Sequence, residues 1–517
     1  MFRDPTLPEG RLLIINGDDF GLTESISRGI IESHINGVLT STSVMANGPA
    51  FDTTIKWLDD CPALGMGIHL ALVGEDRLLL SHREIPSLTD KEGNPYKSWR
   101  SFLAAAATKR IDEEDIRREL TAQLQRVMQS CASTGRSITH IDTHQHLHLL
   151  PVVGGVVMDL GEKWNILSMR LPRISLDVSS QHKTAAPFFN ILARRTAAEA
   201  RRRGIAIPAV YAGLAEAGHL ASIGFESVIT SLRETAAPTA ELGCHPGANG
   251  YGAGGGDRGR YAWEFEWEKE KDALCSQSVR ETIKREGFQL ATFADLPNSR
   301  ASRASLAVTR AVSMFDESDK STRAHVRVRA STCPLEATVM RVPRSARTLD
   351  VGSGHGLLAL ALATDDLTRV VVGVDVDSQK IKLARKVAGN TKVTFLEGDG
   401  SVPEGPWDAI TIVDVLYLLG AQPARVLIEQ CTRELAIGGT LLVHNSHISP
   451  RWKWYVAIIQ EFISVRLARI TKGDKVRFLN QDDIESWMIG AGLETTSVRV
   501  DWGYVHPHKL TVGVRSN

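Results

Sequence analysis

Near the N-terminus the run Leu12-Leu13-Ile14-Ile15 leads directly into Asn16-Gly17-Asp18-Asp19-Phe20-Gly21. A continuous apolar stretch is the pattern of a strand buried on both faces, so the two acids fall at its C-terminal end. Adjacent side chains of an extended chain point to opposite sides, which lets Asp18 and Asp19 divide labour between a metal ion and a proton. Capping of a following helix by Asp19 or Thr23 is the alternative use of such residues. A second run, Thr139 to His148, sets His140, Asp142, His144, His146 and His148 at alternating positions. An extended chain would place all five on one face, where four imidazoles and a carboxylate suit metal binding or acid–base work. Two single histidines sit in similar contexts: His69 after the short apolar stretch Gly65-Met66-Gly67-Ile68, and His245 before a Pro-Gly turn in Glu241-Leu242-Gly243-Cys244-His245-Pro246-Gly247.

A third constellation lies far downstream. Asp350-Val351-Gly352-Ser353-Gly354-His355-Gly356 separates a strand from a helix, as a loop must where a cofactor approaches the backbone closely. Val371-Val372-Gly373-Val374-Asp375 is a second apolar strand ending in an acid suited to two ribose hydroxyls. Val393-Thr394-Phe395-Leu396 then runs into Glu397-Gly398-Asp399-Gly400, which offers an acid near an adenine. A dinucleotide fingerprint would want its third glycine three residues after the second, whereas Gly354 and Gly356 are two apart.

These groups need elements to hold them. Apolar or β-rich segments near 41–45, 65–72, 138–143, 166–170, 226–231 and 288–293 alternate with helical stretches such as 111–131, predicting a mostly parallel α/β domain. The glycine-rich stretch Gly247 to Gly256 reads as a surface loop, with an active-site lid as the alternative. From Ser299 to Arg347 there are ten basic residues against four acidic, and no sustained apolar strand. That segment reads as a linker plus helices, its arginines forming a solvated face or else a patch for an anion or lipid headgroup. A second βαβ series follows: strand 347–351, helix 356–364, strand 370–374, helix 378–389, strands 392–396, 408–413 and 440–444, then β-rich segments 494–500 and 508–514. The expected sheet is doubly wound.

The chain has 517 residues, more than one hydrophobic core usually organises. With 43% hydrophobic and 23% charged residues it reads as globular. Its formal charge is zero, and cutting at residue 300 leaves 33 basic and 37 acidic residues before the cut and 27 and 23 after it, so neither half suggests nucleic acid. Cys61, Cys131, Cys244, Cys275, Cys333 and Cys431 are far apart, without a Cys-x-x-Cys pair, which fits a reducing compartment. Met1 to Gly10 lacks the pattern of a signal peptide, and no apolar run approaches the ~20 residues that cross a bilayer. The expectation is cytoplasmic, with no integral membrane segment; peripheral membrane contact and a homodimer are left open.

Residues 1–298 resemble the YdjC-like carbohydrate deacetylases. The likeness rests on Asp18-Asp19-Phe20-Gly21, on Gly67-Ile68-His69-Leu70, on Asp142-Thr143-His144-Gln145-His146-Leu147-His148, on Met169-Arg170-Leu171-Pro172 and on Cys244-His245-Pro246-Gly247, in family order. Tyr211-Ala212-Gly213-Leu214 with Gly218-His219-Leu220 is similar to the hopanoid-associated branch. Position 17 departs from the pattern, being glycine where alanine is common. The resemblance implies a (β/α) barrel-like domain and a divalent ion (zinc, magnesium, manganese, nickel or iron) held by Asp19, His69 and His144. It also implies Asp18 as general base, Arg170 orienting it, and His245 protonating the departing amine of an N-acetylated sugar or lipid-linked amino sugar. Hydrolysis of an ester or phosphoester is the alternative chemistry.

Residues 335–517 resemble class I S-adenosylmethionine-dependent methyltransferases, including Trp407-Asp408-Ala409-Ile410 leading to Asp414, and Leu435 to Leu442 before a late strand. This implies a Rossmann-like fold in which Asp350 belongs to the cofactor loop and Gly352, Gly354 and Gly356 line the methionine side. Asp375 would bind ribose, Asp399 would approach adenine and Asp414 would face the pocket; turn or cap roles are the alternative for Asp399 and Asp414. Tyr417, His444, Asn445 and His447 are further pocket candidates, each better read as structural. Methyl transfer from a sulfonium needs mainly alignment and desolvation, so the acceptor is not legible, and a cofactor-binding module without turnover is the alternative. The expected organisation is a deacetylase at 1–298, a linker and helical lead-in at 299–334, and a methyltransferase at 335–517.

Overall fold

The computed structural model describes residues 10–132, 135–172, 186–214, 216–248, 261, 263–447, 479–502, 504 and 506–516. They form two compact units, Gly10–Ser299 and Arg300–Asn517. The glycine-rich stretch from 249 to 256 lies outside the described residues.

In the first unit β1 (Arg11–Phe20), β2 (Ser41–Val44), β3 (Gly65–Leu70), β4 (Ile141–Thr143), β5 (Val210–Ala212) and β6 (Thr239–Cys244) pair in the order β4-β3-β2-β1-β6-β5. β7 (Phe288–Leu290) pairs with the start of β1. Every pairing is parallel. Isolated parallel bridges Ile141–Met169 and Ser168–Ala206 carry the curl past β4, giving the expected barrel-like α/β sheet. Strand alternation sorts β1 by face: Leu13 and Ile15 enter the main core, while Ile14 packs with Phe293 and Leu296 in a separate apolar cluster. Continuing that second face toward the C-terminal end gives Asn16 and Asp18, which are hydrogen-bonded to each other at 2.8 Å. The change from apolar to polar along one face is what opens a reactive end above a packed floor.

Two expectations are corrected. Segment 226–231 lies in a helix, Phe225–Glu234. Its buried residues Phe225, Val228, Ile229 and Leu232 fall at i, i+3, i+4 and i+7, so helical periodicity overrides the β-branched content. The histidine run does not remain extended: β4 ends at Thr143, and a tight 3₁₀ turn covers His144–Leu149, with Gln145 (φ 53°) and His146 (φ 56°) left-handed. Its imidazoles therefore point in different directions. Segment 166–170 contributes only the two isolated bridges.

The second unit contains β8 (Arg347–Val351), β9 (Val370–Asp375), β10 (Val393–Glu397), β11 (Trp407–Val413), β12 (Leu435–Ser446), β13 (Leu493–Arg499) and β14 (His508–Arg515). Their order is β10-β9-β8-β11-β12-β14-β13, with β14 antiparallel to both neighbours. The chain leaves β8 toward β9 on one side and returns to β11 on the other, so the crevice at the strands' C-terminal ends opens between β8 and β11. Helices Arg300–Ser313, Lys320–Thr332 and Leu335–Val339 belong to this compact unit. Arg300 is buried and donates to the carbonyls of Met340 and Val342. Among the described residues no helix is long and apolar enough to cross a membrane.

Close packing at the barrel mouth yields a test. A Cβ on Gly67 would stand 2.2 Å from the His140 ring, whereas one on Gly155, inside helix Pro151–Lys163, meets nothing within 4 Å. Gly67→Ala should lower the unfolding free energy of the first unit by ~1–3 kcal/mol. Gly155→Ala should raise it by ~0.4–1 kcal/mol. Denaturant midpoints measured at fixed pH check both.

Candidate functional site

Because the sheet of the first unit is parallel, the C-terminal ends of its strands gather at one end, and four of them place polar residues toward it. β1 brings Asp18 and Asp19, β3 His69, β4 Asp142 and the following His144, the segment after the Met169 bridge Arg170, and β6 Glu241 and the following His245. Asp19 has φ 67°, a left-handed conformation that turns its carboxylate away from that of Asp18. The two acids diverge as their adjacency requires.

Arg170 is completely buried, with three carboxylates around it. Its Nη1 and Nη2 donate to Asp18 at 2.6 and 2.7 Å, its Nε donates to Glu241 at 2.6 Å, and Nη1 lies 2.8 Å from Asp142. Tyr211 covers one face of the guanidinium, 5.4 Å from the ring centroid. One cation cannot neutralise three buried acids, and their titration divides accordingly. Burial resists ionisation of Asp18 and Asp142, but Arg170 and the nearby His69 hold both far below the usual carboxylate range. At Glu241 burial prevails, assisted by the two aspartates, and raises the carboxyl to about 8.

His69 and Asp142 are direct cross-strand partners of β3 and β4. His69 Nδ1 stands 2.8 Å from Asp142 Oδ1; with the proton on Nδ1, the Nε2 lone pair faces the site. There His69 Nε2, His144 Nδ1 and Asp19 Oδ1 form a triangle with edges of 3.3, 3.5 and 3.5 Å. Ligand distances of ~2.0–2.1 Å in tetrahedral geometry give edges of about 3.3–3.4 Å, so these atoms are spaced as ligands of one ion. Asp19 Oδ1 is buried without a hydrogen-bond partner among the described residues. Burial opposes a charged His69, yet Asp142, Asp18 and Asp19 carry it up to about 9, a mark of the negative field that favours a cation here.

The other histidines of the run have different surroundings. His140 bonds Ser43 and Thr139 and stacks on Phe293 at 3.8 Å; burial lowers it to about 3, so it is neutral. His148 bonds the Thr143 hydroxyl, and burial lowers it to about 4. His146 packs edge-on against Tyr211. His245 is half-buried, its backbone N–H donates to Glu270 at 2.7 Å, and its ring lies 4.8 Å from that of Phe265. Trp263 stands 5.7 Å from the His144 ring. The alternation Tyr261, Trp263, Phe265, Trp267 is the sequence sign of this aromatic row, whereas nothing local in the sequence marks Asp142 and Glu241 as partners of Arg170.

In the second unit a cavity of about 450 Å³ sits at the strand ends, lined by Asp350, Gly352, Gly354, Asp375 and Asp414 among others. Gly352, Gly354 and Gly356 have φ of 72, 55 and 84°. A Cβ on Gly352 would lie 2.3 Å from Val415, and one on Gly356 2.4 Å from Phe395. Asp375 accepts the N–H groups of Gly354 and Asp377, both at 2.8 Å, and so ties the glycine loop to the end of β9. Asp350 is buried and accepts from Thr411; burial, with the charge of Asp375, raises it to about 7. Asp414 (φ 53°) accepts from Arg329 at 2.8 Å, so an arginine of the basic lead-in segment faces inward. Tyr417 and Gly356's neighbour His355 also line the cavity, whereas His444, Asn445 and His447 do not. Asp399 is an exposed turn residue bonded to Ser401; its neighbours Gly398 and Gly400 line the cavity, and it does not.

The YdjC-like protein family model matches residues 12–285. The chain belongs to the YdjC-like family. A methyltransferase domain model matches residues 325–498 of this YdjC-like chain. It is 36% identical over 154 residues to a carbohydrate deacetylase from Brevibacillus brevis, covering 30% of this chain and 57% of that protein. Over 147 residues it is 40% identical to a chitooligosaccharide deacetylase from Salmonella paratyphi B, covering 28% and 54%. The chain thus spans little more than half the length of these curated relatives. It is also similar to the solved structure of a magnesium protoporphyrin IX methyltransferase from Synechocystis, at 16% identity over 40% of this chain and 92% of that one, with a TM-score of 0.30.

Two predictions concern Arg170. Arg170→Met leaves Asp18 and Asp142 buried without their cation and should destabilise the first unit by ~3–5 kcal/mol in urea unfolding. Glu241, raised to about 8 when folded against 4.5 ordinarily, contributes stability below about pH 4.5 that is lost as pH rises through about 8. Stability of Glu241→Gln should therefore fall less than that of the unsubstituted protein across this window; equal slopes would contradict the assignment.

Proposed function

We propose that the first unit of this YdjC-like protein is a metal-dependent deacetylase of an N-acetylated sugar, free or lipid-linked. The observation that carries the reading is the ligand-spaced triangle of Asp19, His69 and His144 beside Asp18. Two imidazoles and one carboxylate suit zinc, nickel, manganese or iron, with magnesium less natural for nitrogen donors. Asp19, His69 and His144 would hold the ion, and the chemistry it would supply is polarisation of the acetamide carbonyl and acidification of a water. Asp18, beside that triangle, is the group placed to accept a proton from an attacking water as general base. Its two bonds to Arg170 fix its orientation and make it an intrinsically weak base, so it suits a water that is already acidified. His245 protonates the departing amine, and the products are acetate and an amino sugar. Trp263 and Phe265 give the site an apolar wall beside His144 and His245.

For the second unit the reading is an S-adenosylmethionine-dependent methyltransferase. The left-handed glycine loop tied to Asp375, at the crevice between β8 and β11, supports it. In this reading the glycines admit the methionine end, Asp375 and the backbone around it take the ribose, and Asp350 and Asp414 face the cavity. In this reading the helices Arg300–Ser313 and Lys320–Thr332 are the helical lead-in of the methyltransferase, with Arg329 holding Asp414 in place.

The purified full chain should release acetate from N-acetylglucosamine oligosaccharides, lose that activity on chelation and recover it with a divalent ion. Asp19→Ala should abolish it, and Asp18→Asn should lower kcat ~10²–10⁴-fold. Metal-dependent hydrolysis of simple esters with no acetate from any N-acetyl sugar would sink the reading. Calorimetry should detect S-adenosylmethionine binding, weakened at least ~10-fold by Gly352→Val, whose side chain meets Val415. Binding without methyl transfer to the deacetylated product or any other acceptor would favour a regulatory module.

A further inference from the structure

A second group of metal-ligating side chains lies in the second unit, at the edge of the cavity where Arg329 meets Asp414. Cys333 stands between helices Lys320–Thr332 and Leu335–Val339, His444 is on β12, and His508 opens β14. In the antiparallel register His444 pairs with Leu510 and Ser446 with His508, so the two histidines are diagonal neighbours on one face. Their ring centroids are 5.0 Å apart. One sulfur and two nitrogens, one from each residue, all lie within 4.8 Å of one another, and all three residues are buried.

The hydrogen bonds say which nitrogens face this meeting point. His508 Nε2 is 3.0 Å from the Thr332 carbonyl oxygen, which can only accept, so Nε2 carries the proton and Nδ1 keeps its lone pair. His444 Nδ1 is 2.9 Å from the Thr338 hydroxyl, an oxygen able to accept its proton and leave Nε2 as the lone-pair atom. His508 Nδ1 and His444 Nε2 are both buried without a hydrogen-bond partner among the described residues. Imidazoles anchored through one nitrogen with the other left unbonded are the arrangement that metal-bound histidines adopt. Asp414, which accepts from Arg329, lies against the Cys333 thiol.

We propose that Cys333, His444 and His508 bind a zinc-class dication at the wall of the cavity. Sulfur with two imidazoles selects a soft-to-borderline ion over magnesium or calcium. Tetrahedral Zn–S and Zn–N bonds need S···N separations of about 3.6 Å and an N···N separation of about 3.3 Å, so the three groups, now within 4.8 Å of one another, would draw together on binding. Cys333, His508 and Asp414 line the cavity, so the fourth position of such an ion faces it. Three protein ligands with an open fourth direction is the pattern of a catalytic rather than a purely structural zinc. That position would take an oxygen or sulfur atom of a molecule held in the cavity, or the Asp414 carboxylate when the cavity holds none.

The proposal does not rest on the deacetylase reading, and cobalt distinguishes the two sites. The triangle of Asp19, His69 and His144 contains no thiolate, so only the second site gives a thiolate-to-cobalt charge-transfer band in the near ultraviolet. The full chain, stripped with a chelator and titrated with Co²⁺, should show that band and bind two equivalents. Asp19→Ala should keep the band and lose one equivalent; Cys333→Ser should lose the band and one equivalent; His508→Ala should weaken Co²⁺ binding at the band-forming site at least tenfold. No band in the unsubstituted protein overturns the proposal without recourse to any variant. A band that survives Cys333→Ser overturns it as well.

Discussion

The guanidinium of Arg170 is shared by three buried carboxylates, and the geometry of the first unit's site is organised around that sharing. Asp18 and Asp142 take the charge, and Glu241 is left to hold a proton to a higher pH. The same Asp142 that touches Arg170 also touches His69, so a single contact chain runs from the guanidinium through a carboxylate to an imidazole nitrogen aimed at the site. Buried ion groups of this kind contribute little net stability compared with apolar packing, and their retention fits a positioning task. An imidazole held by a carboxylate and a carboxylate held by an arginine have few ways to move.

Parallel strands bring the groups together, and backbone exceptions aim them. Asp19, Gln145 and His146 are all left-handed, an uncommon state for residues with a Cβ, and all lie at the end of β1 or β4. Without the turn after Thr143, His144 and His146 would point the same way; with it, His144 meets His69 and Asp19 while His146 packs against Tyr211. Asp414 has the same conformation at the end of β11, where its carboxylate meets Arg329 and the Cys333 thiol. The two units have different sheets yet follow one rule, by which polar groups collect where parallel strands stop and the chain must turn.

Much of this was legible because the signals are local. Continuous apolar runs marked β1 and β9, and glycines at 352, 354 and 356 marked a loop whose positive φ values only glycine adopts at no steric cost. At 225–234 two local signals compete: β-branched content suggests a strand, while the i, i+3, i+4, i+7 spacing of Phe225, Val228, Ile229 and Leu232 marks the helix that forms. The helices of the basic segment after 299 were expected, but not the placing of its arginines: Arg300 and Arg329 read as surface charge in sequence and are turned inward by carbonyls and an aspartate that are distant along the chain.

What the sequence determined by itself is the inventory and its order: two parallel α/β series, acids and histidines at strand ends, and a glycine loop followed by an acid about one βα unit later. These follow from periodicity and from the steric demands of single residues, which need no distant partner. Only the tertiary structure decided that Arg170 serves three acids and that Cys333, His444 and His508 converge. Each of those outcomes depends on side chains separated by scores of residues and brought within a few ångströms by sheet register. The electrostatics of a buried group is set by those neighbours and by the loss of water, neither of which is written at the residue's own position.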